Sequence, residues 1–321
     1  RSIQMIKRLV ACLIVFAACN PLPHAAGRRD QVVVVAPDGA PEKLYEVAES
    51  LLARSLFLPS REEVFEVIRA GPRDLEHFKF WRNLLLLGWR GTYLDTVLSD
   101  SAWGNVKTSE LFEEKNLWIN GQEVLVLAGK DEENTLKGLR KWGERIYYTI
   151  RYRERERLEY VLYRDGENKE LTEKMRKMYG VWFKVPQGYR LSVMDRNIIS
   201  FIRQYPARLV TLYFEEGTRE WDPLKKRDEV FEIYFEGDKV LRDPKYLSFE
   251  ETEIGGIPAL RIIGVWQNEE KVMGGPFILY YFKDGVRTYI LDGHVFSPDK
   301  KKWPYMEEVD IILHTFEREY E

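Results

Sequence analysis

The stretch EEKVMGGPFILYYF, residues 269–282, sets Met-Gly-Gly-Pro between a charged run and the apolar, aromatic segment Phe277–Phe282. A glycine pair can cradle an anion when a helix N-terminus comes next and aims its N–H groups at the site. The residues after this pair are instead rich in aromatic and β-branched side chains and read as a strand. The segment is therefore expected to be a turn that feeds a strand. Gly274 and Gly275 can take positive φ there, and Pro276 fits where no ladder hydrogen bond is needed. The residues before it, Ala259–Gln267 with Trp266, also read as a strand, and a short turn between neighbouring strands makes them antiparallel.

Working outward, the C-terminal half alternates strands with few helices. Strands are expected at Val181–Val185, Arg190–Val193, Ile198–Gln204 and Arg208–Phe214, then around Glu251–Ile254, at Pro276–Lys283 and at Thr288–Ser297. Helices are expected at Lys226–Leu241 and Trp303–Phe316, the latter with Met306, Val309, Ile312 and Leu313 on one stripe. This order predicts a mostly antiparallel sheet with flanking helices, and it resembles, by analogy of element order, the PsbP-like αβα sandwich.

The N-terminal half reads differently. Val32–Val35 is a continuous β-branched run closed by Pro37-Asp38-Gly39, and Leu44, Val47, Leu51 and Leu52 come next at helical spacing. Further buried strands are expected at Asn83–Leu87 and Gln122–Ala128, which together predict a layered α/β subdomain. A long charged helix should start near Asp131 and run toward Tyr179 with a break at Asp165-Gly166, after which Asn168 is a plausible N-cap. The overall fold class is thus α+β, with an N-terminal α/β subdomain at 31–165 and a C-terminal α+β subdomain at 166–321.

The 49 basic and 52 acidic residues nearly cancel and no block is purely basic, so no nucleic-acid partner is expected. Both cysteines, Cys12 and Cys19, lie in the first twenty residues, which leaves the folded body without a disulfide or a cysteine metal site. Met5-Ile6-Lys7-Arg8 supplies a positive end, and Leu9–Ala18 supplies ten apolar residues, too short to span a bilayer. Residues 1–18 are therefore read as a signal peptide. Small residues before Cys19 make it resemble a bacterial lipoprotein signal in which Cys19 is lipidated, with residues 19–30 as a tether. Phe16 departs from the usual aliphatic residue of such lipoboxes, and an ordinary secretory signal cut near Ala25-Ala26 is the alternative. Asn20, not Asp, comes after the cysteine, so nothing marks the protein for inner-membrane retention. Attachment to the outer membrane, facing the periplasm, is the expectation, with the membrane as a partner through the N-terminal lipid.

No phosphate loop, dinucleotide fingerprint, zinc-helix motif or serine elbow is present in the sequence. Neither a metal nor a cofactor is expected, since the histidines lack ligand spacing. Asp292-Gly293-His294 is the most enzyme-like cluster, but the preferred reading is a strand histidine with satisfied hydrogen bonds. RYRERERLE, residues 151–159, reads as a solvated helix face laced with ion pairs. Its sharper alternative is an anion-binding arginine stripe containing Arg153 and Arg157.

Several segments also resemble a known family. GRRDQVVVVAPDG, the Arg82–Leu86 run, LWINGQEVLVLAG, GENKEL, KVPQGYRL, VWQNEEKVMGGPFILYYF and LDGHVFSPDKKKWPYMEEVDIIL occur in this order in the domain of unknown function 4837 family of Bacteroidetes-type envelope lipoproteins. The resemblance covers nearly all of the chain after the leader. Trp266, Met273, Gly274, Gly275, Pro276 and Phe277 form its most specific mark and a candidate binding segment. It implies an anchored, exported protein and no activity. The expected role is that of a binding or assembly accessory factor for an envelope protein partner. A hydrolase of cell-wall or glycan substrates and a carrier of a small hydrophobic ligand are the alternatives.

Overall fold

A computed structural model describes residues 24–319, so the leader, Cys12 and Cys19 lie outside the described residues. The described residues divide into two compact units: one of residues 24–55 and 63–157, the other of residues 56–62 and 158–319.

In the first unit, β1 (Gln31–Val35) is followed by α1 (Glu42–Leu52), β2 (Glu66–Ala70), β3 (Asn83–Trp89), β4 (Ser109–Lys115), β5 (Glu123–Gly129) and the long helix α2 (Glu132–Leu162), which belongs to this unit as far as Arg157. The sheet order is β2-β1-β3-β5-β4. Four strands are parallel, and β4 joins the edge antiparallel to β5. Strands covered on both faces should be apolar without alternation, and Val32–Val35, Leu84–Leu87 and Val124–Ala128 are all fully buried. Val33, Val35, Leu84, Leu86, Val124 and Val126 point into one core with Leu94, Leu98 and Trp103. Strand β4, SELFEEK, has no apolar run that marks it in the sequence.

In the second unit, α3 (Lys169–Tyr179) precedes β6 (Arg190–Asp195), β7 (Ile198–Arg203), β8 (Ala207–Glu216), α4 (Pro223–Tyr234), β9 (Lys239–Val240), β10 (Ser248–Ile254), β11 (Ile257–Asn268), β12 (Met273–Lys283), β13 (Arg287–Phe296) and α5 (Trp303–Leu313). All the pairings of the eight-stranded sheet are antiparallel, in the order β9-β11-β12-β13-β8-β7-β6, with β10 also on β11. The mixture of a parallel sheet unit and an antiparallel one with helices makes the chain α+β.

Local signals place these helices. Asn168 Oδ1 accepts from Leu171 N at 3.3 Å and opens α3, which Gly180 closes in the left-handed region. Asp222 Oδ1 accepts from Leu224 N and Lys225 N at 3.0 and 3.1 Å, and Pro223 is the first helical residue of α4. Helix α4 thus starts and ends earlier than the sequence reading of 226–241. The start of α5 is capped from far away: Glu62 Oε2 accepts from Lys302 N at 2.8 Å and Trp303 N at 3.0 Å.

The Met-Gly-Gly-Pro segment is not a turn. The turn is formed by residues 269–272, with Val272 at φ +51°, while Met273 to Pro276 already pair with Asn268 to Val265 on β11. Gly274 and Gly275 lie in extended strand and do not use positive φ. They are required by space. A Cβ on Gly275 would sit 1.9 Å from the Val295 carbonyl oxygen, and one on Gly274 would sit 2.7 Å from the Trp266 carbonyl oxygen. Close backbone approach, rather than chain reversal, explains the pair.

Candidate functional site

The signature strand lies over an internal ionic cluster. In an antiparallel pair, opposed residues share a face, and the register opposes Phe277 to His294 and Leu279 to Asp292. Those four side chains therefore face α4, where Leu224, Val230 and Phe231 complete a core with Trp266, Phe277, Leu279 and Ile290. Arg227 comes from the same helix. Its Nε donates to Asp292 Oδ2 at 2.7 Å, and Asp292 Oδ1 lies 2.9 Å from His294 Nδ1. Arg227 and Asp292 are 0% exposed and His294 is 2% exposed.

This cluster is enclosed by rings. The Arg227 guanidinium carbon lies 4.0 Å from the Phe231 ring centre and 4.3 Å from that of Phe277, a cation held between two aromatic faces. His294 has Phe231, Trp266 and Phe235 edge-on at 5.4, 5.5 and 6.0 Å. Arg227 Nη1 and Nη2 and Trp266 Nε1 have no hydrogen-bond partner among the described residues. The π faces around the guanidinium take part of the place of those bonds. Burial works to raise the Asp292 carboxyl, but the Arg227 charge and the His294 ring outweigh it and hold the carboxyl below its usual range. Asp292 is therefore a buried carboxylate whose two oxygens are already engaged. No substrate atom can reach it without opening the core.

Arg153 and Arg157 fall on α2 within the first unit, whereas Asp292 and His294 belong to the second. Arg157 Nη1 donates to Asn83 Oδ1 at 2.8 Å and to Glu154, and its Nη2 donates to the Arg82 carbonyl at 3.2 Å. Arg153 Nη1 donates to Glu156 at 2.8 Å, and its Nε lies 3.7 Å from Glu123 Oε2. Asn83 Nδ2 donates to Glu154 Oε1 at 2.7 Å and to the Gln31 carbonyl at 3.1 Å. These arginines are turned onto carboxylates of their own unit rather than left as a stripe for external anions. Glu123 stands out within this network, because it is 1% exposed and neither carboxylate oxygen has a hydrogen-bond partner among the described residues. Burial pushes it up to about 7, against the pull of Arg153, Lys115 and Arg157. No group of three or more His, Cys, Asp or Glu side chains that could hold a metal occurs among the described residues.

Residues 168–315 match the family model described as a domain of unknown function, DUF4837. The match covers less than half of the chain. The matched segment contains α3 through α5, the Trp266–Phe277 signature and the whole Arg227–Asp292–His294 cluster. The first unit lies outside the match, although GRRDQVVVVAPDG and LWINGQEVLVLAG there carried part of the resemblance seen in the sequence. No curated protein matches the chain.

Solved structures similar to part of the chain include a crystal structure of a Bacteroides thetaiotaomicron VPI-5482 protein, at 13% identity and a TM-score of 0.29. That alignment covers 45% of this chain and 47% of the other, so the chain spans about half of that protein's length. The solution structure of cyanobacterial PsbP (CyanoP) from Synechocystis sp. PCC 6803 aligns at 9% identity and a TM-score of 0.29, over 44% of this chain and 87% of that one. LpqN of Mycobacterium tuberculosis, described as involved in cell envelope biogenesis, aligns at 13% identity and a TM-score of 0.27, over 42% of this chain and 81% of that one. Superpositions this loose leave the α+β assignment resting on the strand order described above.

Arg227 was not singled out by the sequence, because an arginine among PLKKRDEVFEIY looks like any solvated helix residue. The signal available was its i,i+4 spacing to Phe231, which puts a cation and a ring on one helix face. Glu308 and Asp310, in the apolar stretch of α5, are also buried. Glu308 Oε1 accepts from the Tyr189 hydroxyl at 3.0 Å and is ion-paired with Arg208, whose Nε lies 3.0 Å away, and Asp310 accepts from the Tyr280 hydroxyl.

Proposed function

We propose that this chain is an exported, lipid-anchored envelope protein that works by binding, as an accessory or assembly factor for another envelope component. The observation that carries the binding part of this reading is the closure of the Asp292–His294 cluster. A hydrolase would need those groups in an accessible cleft with a substrate-sized space beside them. Here their partners are all internal, so that removing one would leave a buried charge uncompensated. Among the described residues no helix is long and apolar enough to cross a membrane. In this reading the leader and a lipidated Cys19 supply the attachment. A diacylated cysteine gains about 0.8 kcal/mol per buried methylene, which makes such an anchor effectively permanent.

Two experiments test the reading. Cys19→Ser should abolish palmitate incorporation and release the protein from the membrane fraction; continued labelling would remove the anchor. Crosslinking in the native envelope should recover a second envelope component. Recovery of this chain alone at native abundance would remove the accessory role.

A further inference from the structure

Where β7 begins and β8 ends, the second unit has an open cleft of about 500 Å³ lined by Tyr179, Arg196, Phe214, Glu216, Arg219 and Arg287 among others. Strand register builds it. The two-residue turn between β6 and β7 places Asn197 against Phe214, with Asn197 Nδ2 donating to the Phe214 carbonyl at 3.0 Å and Phe214 N donating back at 3.1 Å. On the other flank, β13 opposes Arg287 to Glu216. Tyr179, the last residue of α3, ties the wall to the turn through its hydroxyl, whose one hydrogen lies between the carbonyls of Asp195 at 2.6 Å and Ile198 at 3.0 Å.

The charges inside the cleft are unequally engaged. Arg287 is fixed: Nε donates to Glu216 at 2.8 Å, Nη1 donates to the Tyr179 carbonyl at 2.5 Å, and the guanidinium lies 4.3 Å from the Phe214 ring centre. Glu215 is held by the Tyr213 hydroxyl at 2.6 Å, Lys226 at 2.8 Å and Arg219 at 3.3 Å. Arg196, exposed at the tip of the turn, makes no side-chain hydrogen bond or ion pair among the described residues. Arg219 remains 57% exposed at the rim. Three arginines against Glu215 and Glu216 leave the lining with one net positive charge.

We propose that this cleft binds a monocarboxylate joined to an apolar group, the chemistry found at the carboxyl end of a peptide whose last residue is apolar. An arginine fork matches a carboxylate in two parallel hydrogen bonds, and Arg196 and Arg219 present such forks at the rim. One carboxylate balances the excess charge, whereas a polyanion would meet Glu215 and Glu216. The Phe214 ring and Met178 supply the apolar contact, and the volume suits a few residues. This deepens the binding reading above and rests on it for its biological sense.

The test uses the full chain and a fluorescein-labelled Lys-Ala-Ala-Leu peptide, with a free or an amidated C-terminus, read by fluorescence polarisation. The free carboxylate should bind at least about ten-fold tighter than the amide, the difference a charge-assisted pair makes. Arg196→Ala and Arg219→Ala should each weaken it about ten-fold with unchanged melting temperature. Competition by N-acetyl-leucine as effective as that of the unlabelled peptide would assign the site to small monocarboxylates; weaker competition would assign it to peptide ends. Equal binding of acid and amide, no binding of either at millimolar concentration, displacement by equimolar inorganic phosphate, or full binding by Arg196→Ala would each overturn the proposal. Envelope crosslinking with Arg196→Ala separates the two ideas. A partner still captured sinks the cleft and leaves the accessory role, while peptide binding without any captured partner does the reverse.

Discussion

Each unit buries a carboxylate beside arginines, and the two carboxylates respond in opposite directions. Asp292 has a cation in contact, a ring nitrogen at hydrogen-bond distance and total exclusion of water, and it is held below its usual range. Glu123 has cations nearby but none bonded to it, and burial pushes it up to about 7. The difference shows that burial alone does not set the charge of an internal acid. Whether its lone pairs are met by donors at bonding distance decides between a fixed ion and a group poised to take up a proton.

The largest expected effect comes from breaking the closed cluster. Asp292→Ala leaves Arg227 buried and uncompensated, and should destabilise the second unit by about 3–5 kcal/mol in chemical denaturation. A loss below about 1 kcal/mol would mean the ring sandwich alone suffices for the guanidinium. Next is the backbone that lies against the cluster. Gly275→Ala should cost about 3 kcal/mol, because its Cβ has no room beside the Val295 carbonyl and the strands must part. A variant with wild-type stability would show that β12 can shift freely.

The open cluster is tested by pH. Glu123 has a folded value of about 7, above its ordinary 4.5, so between these values the folded state holds more protons than the unfolded state. Stability should therefore be fully gained below about 4.5 and fall as pH rises toward 7, by at most about 1.4 kcal/mol per pH unit. Glu123→Gln should flatten that slope, as read by denaturation at several pH values. Asp292 works the other way, since its stabilisation is lost only as pH drops below the ordinary carboxylate range. The smallest effect should come from Asp222→Ala. Loss of the α4 cap costs about 1 kcal/mol and tests how firmly that helix presents Arg227 to Asp292.

Much of the fold was legible from periodicity. The continuous valine and leucine runs of β1, β3 and β5 announced a sheet covered on both faces, and Asn168 and Gly180 marked both ends of α3. Strand β4 was missed because its Glu-rich edge sequence lacks a run. The long-range capping of α5 by Glu62 could not be read, since 240 residues separate donor and acceptor. For the candidate sites, Asp292 and His294 were singled out on residue type, but their role depends on Arg227, which only the packing of α4 brings near. The glycine pair was placed one step too early, in a turn. Its reason is the distance to a neighbouring carbonyl, and no local pattern encodes that distance.

The pairing of β8 with β13 has a further consequence for how the second unit comes into being. Glu216 and Arg287 meet across 71 positions, and the ladder runs outward from them to Ala207 and Phe296. Closing so long a loop carries an entropic cost that local contacts cannot offset until the last strand arrives. During synthesis the meander β6-β7-β8 would wait with one edge open while α4 and four strands emerge. Completion of this unit is therefore a late, slow event, and a chain shortened before Arg287 would leave the sheet in two unjoined pieces.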